Sequence, residues 1–162
     1  MWFILFISFI VLQRIAELII AKRNENWLRK QGAIEYGHDH YSLIVLLHTV
    51  FILSLIAEYL YSGTSYPDLA FLSIYLVLVI AKVWVIASLG RYWNTKILRV
   101  PNAALVTKGP YRYVKHPNYI IVIGEIAIIP VVFHLYYTAI IFTILNAFML
   151  RIRIIEENKV LV

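Results

Sequence analysis

Few residues in this 162-residue chain combine chemical capability with a telling position. His116 stands directly before Pro117, and Arg153 and Glu157 lie four residues apart beyond a further apolar stretch. Gly109-Pro110 marks a turn. His116-Pro117 reads as an extended dipeptide with proline at the first position of a helix, where a missing N–H costs nothing. His116 therefore sits at the positive end of that helix, whose backbone N–H groups can receive a carboxylate or another anion. A hairpin that returns the chain to the same side brings Arg153, Glu156 and Glu157 there, with Arg153 and Glu157 on one helix face. Each feature also has a plain structural explanation. A lone His-Pro commonly just starts a helix, and an Arg-Glu pair at this spacing is commonly an exposed contact worth a few tenths of a kcal/mol. Their convergence on one face favours a functional site.

A second group is Arg14, His48, Lys82 and Glu125, each six or seven residues from one end of an apolar stretch. At ~1.5 Å per residue, all four lie ~10 Å below the same surface. Ionisable groups inside a membrane are costly and usually face the protein interior. They are expected to form one polar layer, with Glu125 pairing Lys82 or Arg14. That layer is either a structural ion network or the receptor for the polar head of a substrate whose tail stays among lipids. Glu58 lies near the opposite face, too far in depth to pair with Lys82.

The elements that must position these residues follow from composition. Hydrophobic residues make up 62% of the chain and charged residues 15%, with a mean hydropathy of +0.78. One soluble domain of this length cannot hide so much apolar surface, because roughly a third of what its unfolded chain exposes stays in water. A bilayer removes the difficulty. There is no cysteine, which excludes disulfides, thiolate metal sites and a cysteine nucleophile. Five scattered histidines without paired spacing do not build a metal site. The net charge of +6 falls beside apolar segments, so it reads as membrane topology and not as a nucleic-acid surface.

Five spans are expected, over about residues 2–21, 41–61, 69–89, 118–133 and 135–157, in an all-α integral membrane protein of one domain, 1–162. The first is a retained helix: it lacks a basic leader and a cleavage site, and it carries Arg14 and Glu17. Residues 62–68 form a short turn. Pro130 and His134 divide the last apolar region into a hairpin whose first helix is only ~24 Å long. That helix falls short of the far surface unless tilted or partly re-entrant. Lys and Arg concentrate in 22–40 and 90–118 and are absent from 62–68. The positive-inside rule then puts the N-terminus outside and the C-terminus in the cytoplasm. The loop 90–118 is longer than a connection requires, and its aromatic residues argue against disorder. No feature of the sequence sets an oligomeric state.

One stretch makes the expectation specific. Leu105 to Tyr119 reads LVTKGPYRYVKHPNY, and its pattern Gly-x-Tyr-x-x-x-x-His-Pro-x-Tyr is followed, after the hairpin, by Arg-x-x-x-Glu. This resembles the isoprenylcysteine carboxyl methyltransferase family, in particular its short bacterial branch, over roughly residues 96–161. Phospholipid N-methyltransferases and sterol reductases are similar more distantly. The resemblance implies S-adenosylmethionine bound by the loop and hairpin, and a lipophilic substrate entering from the bilayer among membrane lipids. It assigns Leu105, Val106, Tyr111, His116, Pro117, Asn118, Tyr119 and Glu157 to the cofactor, with Lys96, Ala103 and Ala104 as further contacts. It assigns Arg153 to the substrate, where the polar layer would join it only on the second of that layer's two readings, and makes Arg153 and Glu157 the catalytic pair. Lys115 stands where the family usually has Arg before His-Pro, and Ala103 replaces a residue that is often polar. The chain stops just after the Glu pair, where larger members continue, which argues against a prenylated-peptide substrate.

Methyl transfer from a sulfonium to oxygen needs alignment and a dry site more than it needs a base, since a carboxylate or acidic enol is already ionised. Some of the short branch is associated with O-methylation of polyketide-derived long-chain alkylpyrones, which makes such a compound the first expected acceptor. Isoprenylcysteine-type carboxyl methylation is the second and phospholipid amine methylation the third. A small membrane transporter or scaffold is the reading from a different class. It predicts inverted repeats, which the sequence lacks, and leaves the 90–118 loop without a role.

Overall fold

An apolar run opens the chain, and the helix it starts does not stop where the run does. In the computed structural model, which describes residues 1–62 and 66–160, α1 covers Trp2–Lys30. It continues well past the expected end at residue 21, because no glycine or proline interrupts it and its last turn carries Arg29 and Lys30, which suit a helix C-terminus. Its buried residues include Phe3, Ile10, Glu17, Ala21, Asn24 and Leu28, a spacing that keeps one helix face inward.

The chain then forms a short strand, β1 (Ile34–Tyr36), and α2 (His38–Ser62). The expected turn 62–68 falls partly on residues 63–65, which lie outside the described residues. Next comes α3 (Leu69–Leu89), matching its expected bounds. Asp68 caps it, accepting hydrogen bonds from the N–H groups of Ala70 at 2.9 Å and Phe71 at 3.3 Å. The long loop holds two single 3₁₀ turns, Gly90–Tyr92 and Gly109–Arg112, and a second strand, β2 (Ile97–Arg99). The strands pair antiparallel, with Glu35 opposite Leu98. This ladder ties the first basic segment to the loop. The last two helices are α4 (Pro117–Val131) and α5 (Tyr136–Val160), joined by a tight turn in which His134 takes a φ of 58°.

Among the described residues four helices, α1, α2, α3 and α5, are long and apolar enough to cross a membrane, and α4 is a shorter apolar helix. The protein is therefore an all-α, multi-pass membrane protein. Apolar side chains such as Leu5, Leu12, Leu46, Leu53, Val77 and Ile80 lie exposed along these helices, as lipid contact requires. The core gathers around α4, whose Ile126 and Ile129 are buried against Phe51, Leu55, Tyr75 and Phe142. Gly124 lets α3 approach closely: a Cβ there would stand 3.0 Å from Leu78 Cδ1.

The shortness of α4 has a consequence. Its far end reaches the opposite face, since the Asp68 N–H donates to the Val132 carbonyl at 2.8 Å. At ~1.5 Å per residue, 15 residues span ~22 Å and the 21 of α3 span ~32 Å. The shortfall expected at the far surface thus falls on the loop side, where α4 begins about 10 Å below the end of α3. The loop folds into that recess. Gly109, at φ +55°, packs so tightly on α3 that a Cβ would meet Ser88 Oγ at 2.2 Å.

Candidate active site

The recess holds a cleft of about 250 Å³ between the loop, the start of α4 and the end of α5. Of the expected cofactor residues, Lys96, Ala104, Leu105, Val106, Tyr111, His116, Asn118, Tyr119 and Glu157 all line it, as does Arg153. Ala103 and Pro117 do not: Ala103 closes a turn on the Val100 carbonyl, and Pro117 is buried at the first position of α4. The cleft also takes Tyr92, Trp93, Asn94, Arg99 and Thr107. The sequence showed Tyr92 and Trp93 as loop aromatics that argue against disorder, and it marked none of these five as a site residue.

The polar groups of the cleft form a chain across two helices. The Tyr119 hydroxyl donates to Glu157 Oε2 at 2.5 Å and accepts from Arg153 Nε at 2.8 Å. Arg153 and Glu157 share one face of α5, but the phenol of α4 stands between them in place of a simple exposed pair. His116 Nδ1 lies 3.3 Å from Glu157 Oε2, its Nε2 lies 3.2 Å from Asn158 Oδ1, and its ring stacks on Tyr119. Arg153 also donates to the Thr95 carbonyl. Among the described residues no side chain caps the start of α4. Burial, and then the Glu157 charge, push the Tyr111 phenol above its usual value. Burial works against the Lys96 ammonium, but its hydrogen bond to Glu25 and the charges of Glu25 and Glu35 outweigh that and hold its pKa above the ordinary value. Lys96 Nζ stands 3.0 Å from Glu25 and 3.5 Å from Glu35. It is committed to the wall of the cleft.

Two cleft residues carry buried polar atoms with no hydrogen-bond partner among the described residues, Trp93 Nε1 and Asn118 Oδ1. Unpartnered buried groups are uncommon and call for an explanation. Trp93 is only 3% exposed. A ligand offering one acceptor and one donor would complete both.

Deeper in the bundle, three of the four expected polar-layer residues meet. Glu125, fully buried, accepts from Lys82 Nζ at 2.5 Å, Arg14 at 2.9 Å and Gln13 at 3.1 Å. Glu17 pairs with Arg14 at 2.8 Å and Lys82 at 3.1 Å, and Tyr75 donates to Gln13 at 2.8 Å. Two cations and two anions balance. His48 stands outside this network: its Nδ1 lies 2.9 Å from the Ile44 carbonyl of its own helix. It lines instead a second cavity of about 270 Å³ between α1 and α2, with Arg14, Glu17, Tyr41, Thr95 and apolar walls. Lys82 and Glu125 line neither cavity. Glu17 and Gln13 were missed, although Glu17 sits at i+3 from Arg14. Glu58 is far from the layer as expected, accepting from the N–H groups of Tyr137 and Thr138 at the start of α5.

The arrangement defines a multi-pass membrane protein with an open polar cleft at one membrane face and an apolar groove beside it. Residues 69–162 match the Isoprenylcysteine carboxyl methyltransferase (ICMT) family, and the chain belongs to that family. Among its relatives is the uncharacterized protein YpbQ of Bacillus subtilis, 47% identical over 162 residues, covering 98% of this chain and 96% of that one. An uncharacterized protein of Haemophilus influenzae is 28% identical over 152 residues, covering 90% and 87%. No solved structure matches. Membership places the chain among membrane methyltransferases, a family that generally uses S-adenosylmethionine.

Proposed function

We propose that the protein methylates an oxygen atom of a lipophilic substrate at the membrane, using S-adenosylmethionine, with residues 1–162 acting as one domain. The observation that carries this reading is the pair of unpartnered buried atoms, Trp93 Nε1 and Asn118 Oδ1, in a cleft that also holds Glu157 and the uncapped start of α4. The donor set fits the cofactor. Glu157 suits the methionine ammonium, and the start of α4 with His116 suits a carboxylate. Asn118 and Trp93 supply an acceptor and a donor, and Leu105, Val106 and Tyr111 supply contact area. Bound S-adenosylmethionine supplies an electrophilic methyl group on a cationic sulfur.

Arg153 holds the acceptor oxygen. Its hydrogen bond to the Thr95 carbonyl puts it behind the inner end of the α1–α2 groove, which Thr95 and Tyr41 line. Val11, Ile15 and Ile52 receive the alkyl tail there, while Arg14 and His48 meet the polar head. Lys82 and Glu125 act one layer behind, by holding Arg14 in place. Cations at Arg14 and Arg153 favour an ionised enol or carboxyl oxygen and disfavour an amine. A long-chain alkylpyrone is the first acceptor, and a prenylcysteine-type carboxylate the second. The Lys and Arg distribution supports a cytoplasmic cleft and an N-terminus outside.

The test is incubation of purified protein with methyl-labelled S-adenosylmethionine and a lipid extract, then mass identification of the product. A labelled O-methyl lipid is expected. Label only on nitrogen, or on no lipid at all, contradicts the reading.

A further inference from the structure

A third cavity, of about 470 Å³, lies between α1 and α3 at the loop-side membrane interface. The methyl-transfer reading gives it no role. Its α1 wall is Ile20, Arg23, Asn24 and Trp27, the i, i+3, i+4, i+7 stripe of one helix face. Its α3 wall is Ile86 and Ala87, with Gly90 and Arg91 just beyond. The apolar residues lie on the bilayer side and the two arginines at the level where the apolar runs of both helices end. Among the described residues neither Arg23 nor Arg91 has a carboxylate partner, whereas nearby Lys22, Arg29 and Lys96 all pair with Glu25. Arg91 instead lies over the Trp27 ring at 5.6 Å, and Trp27 meets Tyr92 edge-on. The groove is held open from behind. Buried Asn24 donates to the Gly90 carbonyl at 3.1 Å and the Trp93 carbonyl at 2.7 Å, fixing the spacing of the two helices.

We infer that this groove is a binding site for an anionic phospholipid, with the phosphate between Arg23 and Arg91 and an acyl chain along Ile20, Ile86 and Ala87. Charge complementarity selects the occupant. Two guanidiniums free of carboxylates, above an apolar channel at headgroup depth, match a lipid with net negative charge and give a zwitterionic lipid nothing to offset its own cation. Trp27 sits at the depth where amphipathic rings anchor membrane proteins. Asn24 joins the site to Trp93, a wall of the cleft, so a bound lipid also steadies that wall.

Native mass spectrometry of the full chain from micelles doped with phosphatidylglycerol or phosphatidylcholine tests this directly. The wild type should retain phosphatidylglycerol over phosphatidylcholine. An interfacial Arg near anionic lipid contributes about five-fold in retention, so the Arg23→Gln/Arg91→Gln protein should lose roughly 25-fold. Arg151→Gln, an exposed arginine at another helix, should match the wild type. Ala87→Phe, which fills the groove and leaves both charges, should also lower retention and covers the case in which the double variant folds poorly. Equal retention of the two lipids by the wild type would overturn the proposal. So would unchanged phosphatidylglycerol binding in the double variant and in Ala87→Phe, or an equal loss in Arg151→Gln.

Discussion

The polar layer and the cleft are made from the same residue types, Arg, Glu and Tyr with an amide beside them, yet they are finished differently. In the layer every charge is answered within the protein: Glu125 and Glu17 divide Arg14, Lys82 and Gln13 between them, and Tyr75 closes on Gln13. In the cleft the chain Arg153–Tyr119–Glu157–His116 runs along one wall, while Trp93 Nε1 and Asn118 Oδ1 have no partner. The closed network stabilises, and it reaches a cavity only at its edge, through Arg14 and Glu17. In the proposed reading a ligand completes the open one at its two unpartnered atoms.

The largest effect is expected at Glu125. Glu125→Ala leaves Lys82 and Arg14 facing one another without enough negative charge. Removing one partner of a buried pair costs about 3–5 kcal/mol. Thermal unfolding in detergent should show a large fall, and Lys82→Met/Glu125→Leu, which removes the pair together, should recover most of it. A Glu125→Ala protein as stable as the wild type would dissolve the distinction.

In the cleft, His116→Ala and Glu157→Gln should each lower methyl transfer by about 100-fold or more, through lost alignment of bound groups. Unfolding midpoints should stay close to the wild type. Unaltered turnover in either variant removes that residue from the site. A smaller and sharper effect is expected of Asn118→Ala. Because Oδ1 has no partner to lose, stability should hold or rise slightly, while cofactor affinity falls by about 1 kcal/mol, roughly five-fold. Loss of stability without loss of affinity would reclassify Asn118 as structural.

Lys96 gives the smallest effect and carries a pH signature. Its pKa is raised by Glu25 and Glu35, so its contribution is complete below the unfolded lysine value near ~10.4 and fades only as pH rises through the higher folded value. The partly exposed ion pair is worth at most about 1 kcal/mol. The stability difference between Lys96→Met and the wild type should therefore be flat from pH 7 to about 9. A difference that shrinks across that range points to a different partner.

Hydrophobicity made the spans legible, and α3 matched its expected bounds because apolar character and helix end together there, between the Asp68 cap and Gly90. At α1 they part. Lys22, Arg23, Glu25, Leu28 and Arg29 are good helix formers, so the helix outlasts the apolar run. The paired strands at Ile34–Tyr36 and Ile97–Arg99 are too short for alternation to show. In the site, the motif residues of 105–119 and of α5 were legible as a set. Trp93 was not, because a missing hydrogen bond is a property of tertiary packing. Arg14, Lys82 and Glu125 converged although α4 starts deeper than α3 ends, because the long Lys82 side chain reaches Glu125; His48 faces the groove beside them, since depth alone does not fix the side of a helix.

If the cleft is a cofactor site, its unpartnered groups must contribute to binding. Equilibrium binding of S-adenosylmethionine to purified wild-type, Trp93→Phe and Glu157→Gln proteins tests that most directly. Saturable binding by the wild type is expected, about five-fold weaker in Trp93→Phe for one lost hydrogen bond and abolished in Glu157→Gln, with unfolding midpoints alike in all three. No saturable binding to the wild type, or equal affinity in all three proteins, would contradict it.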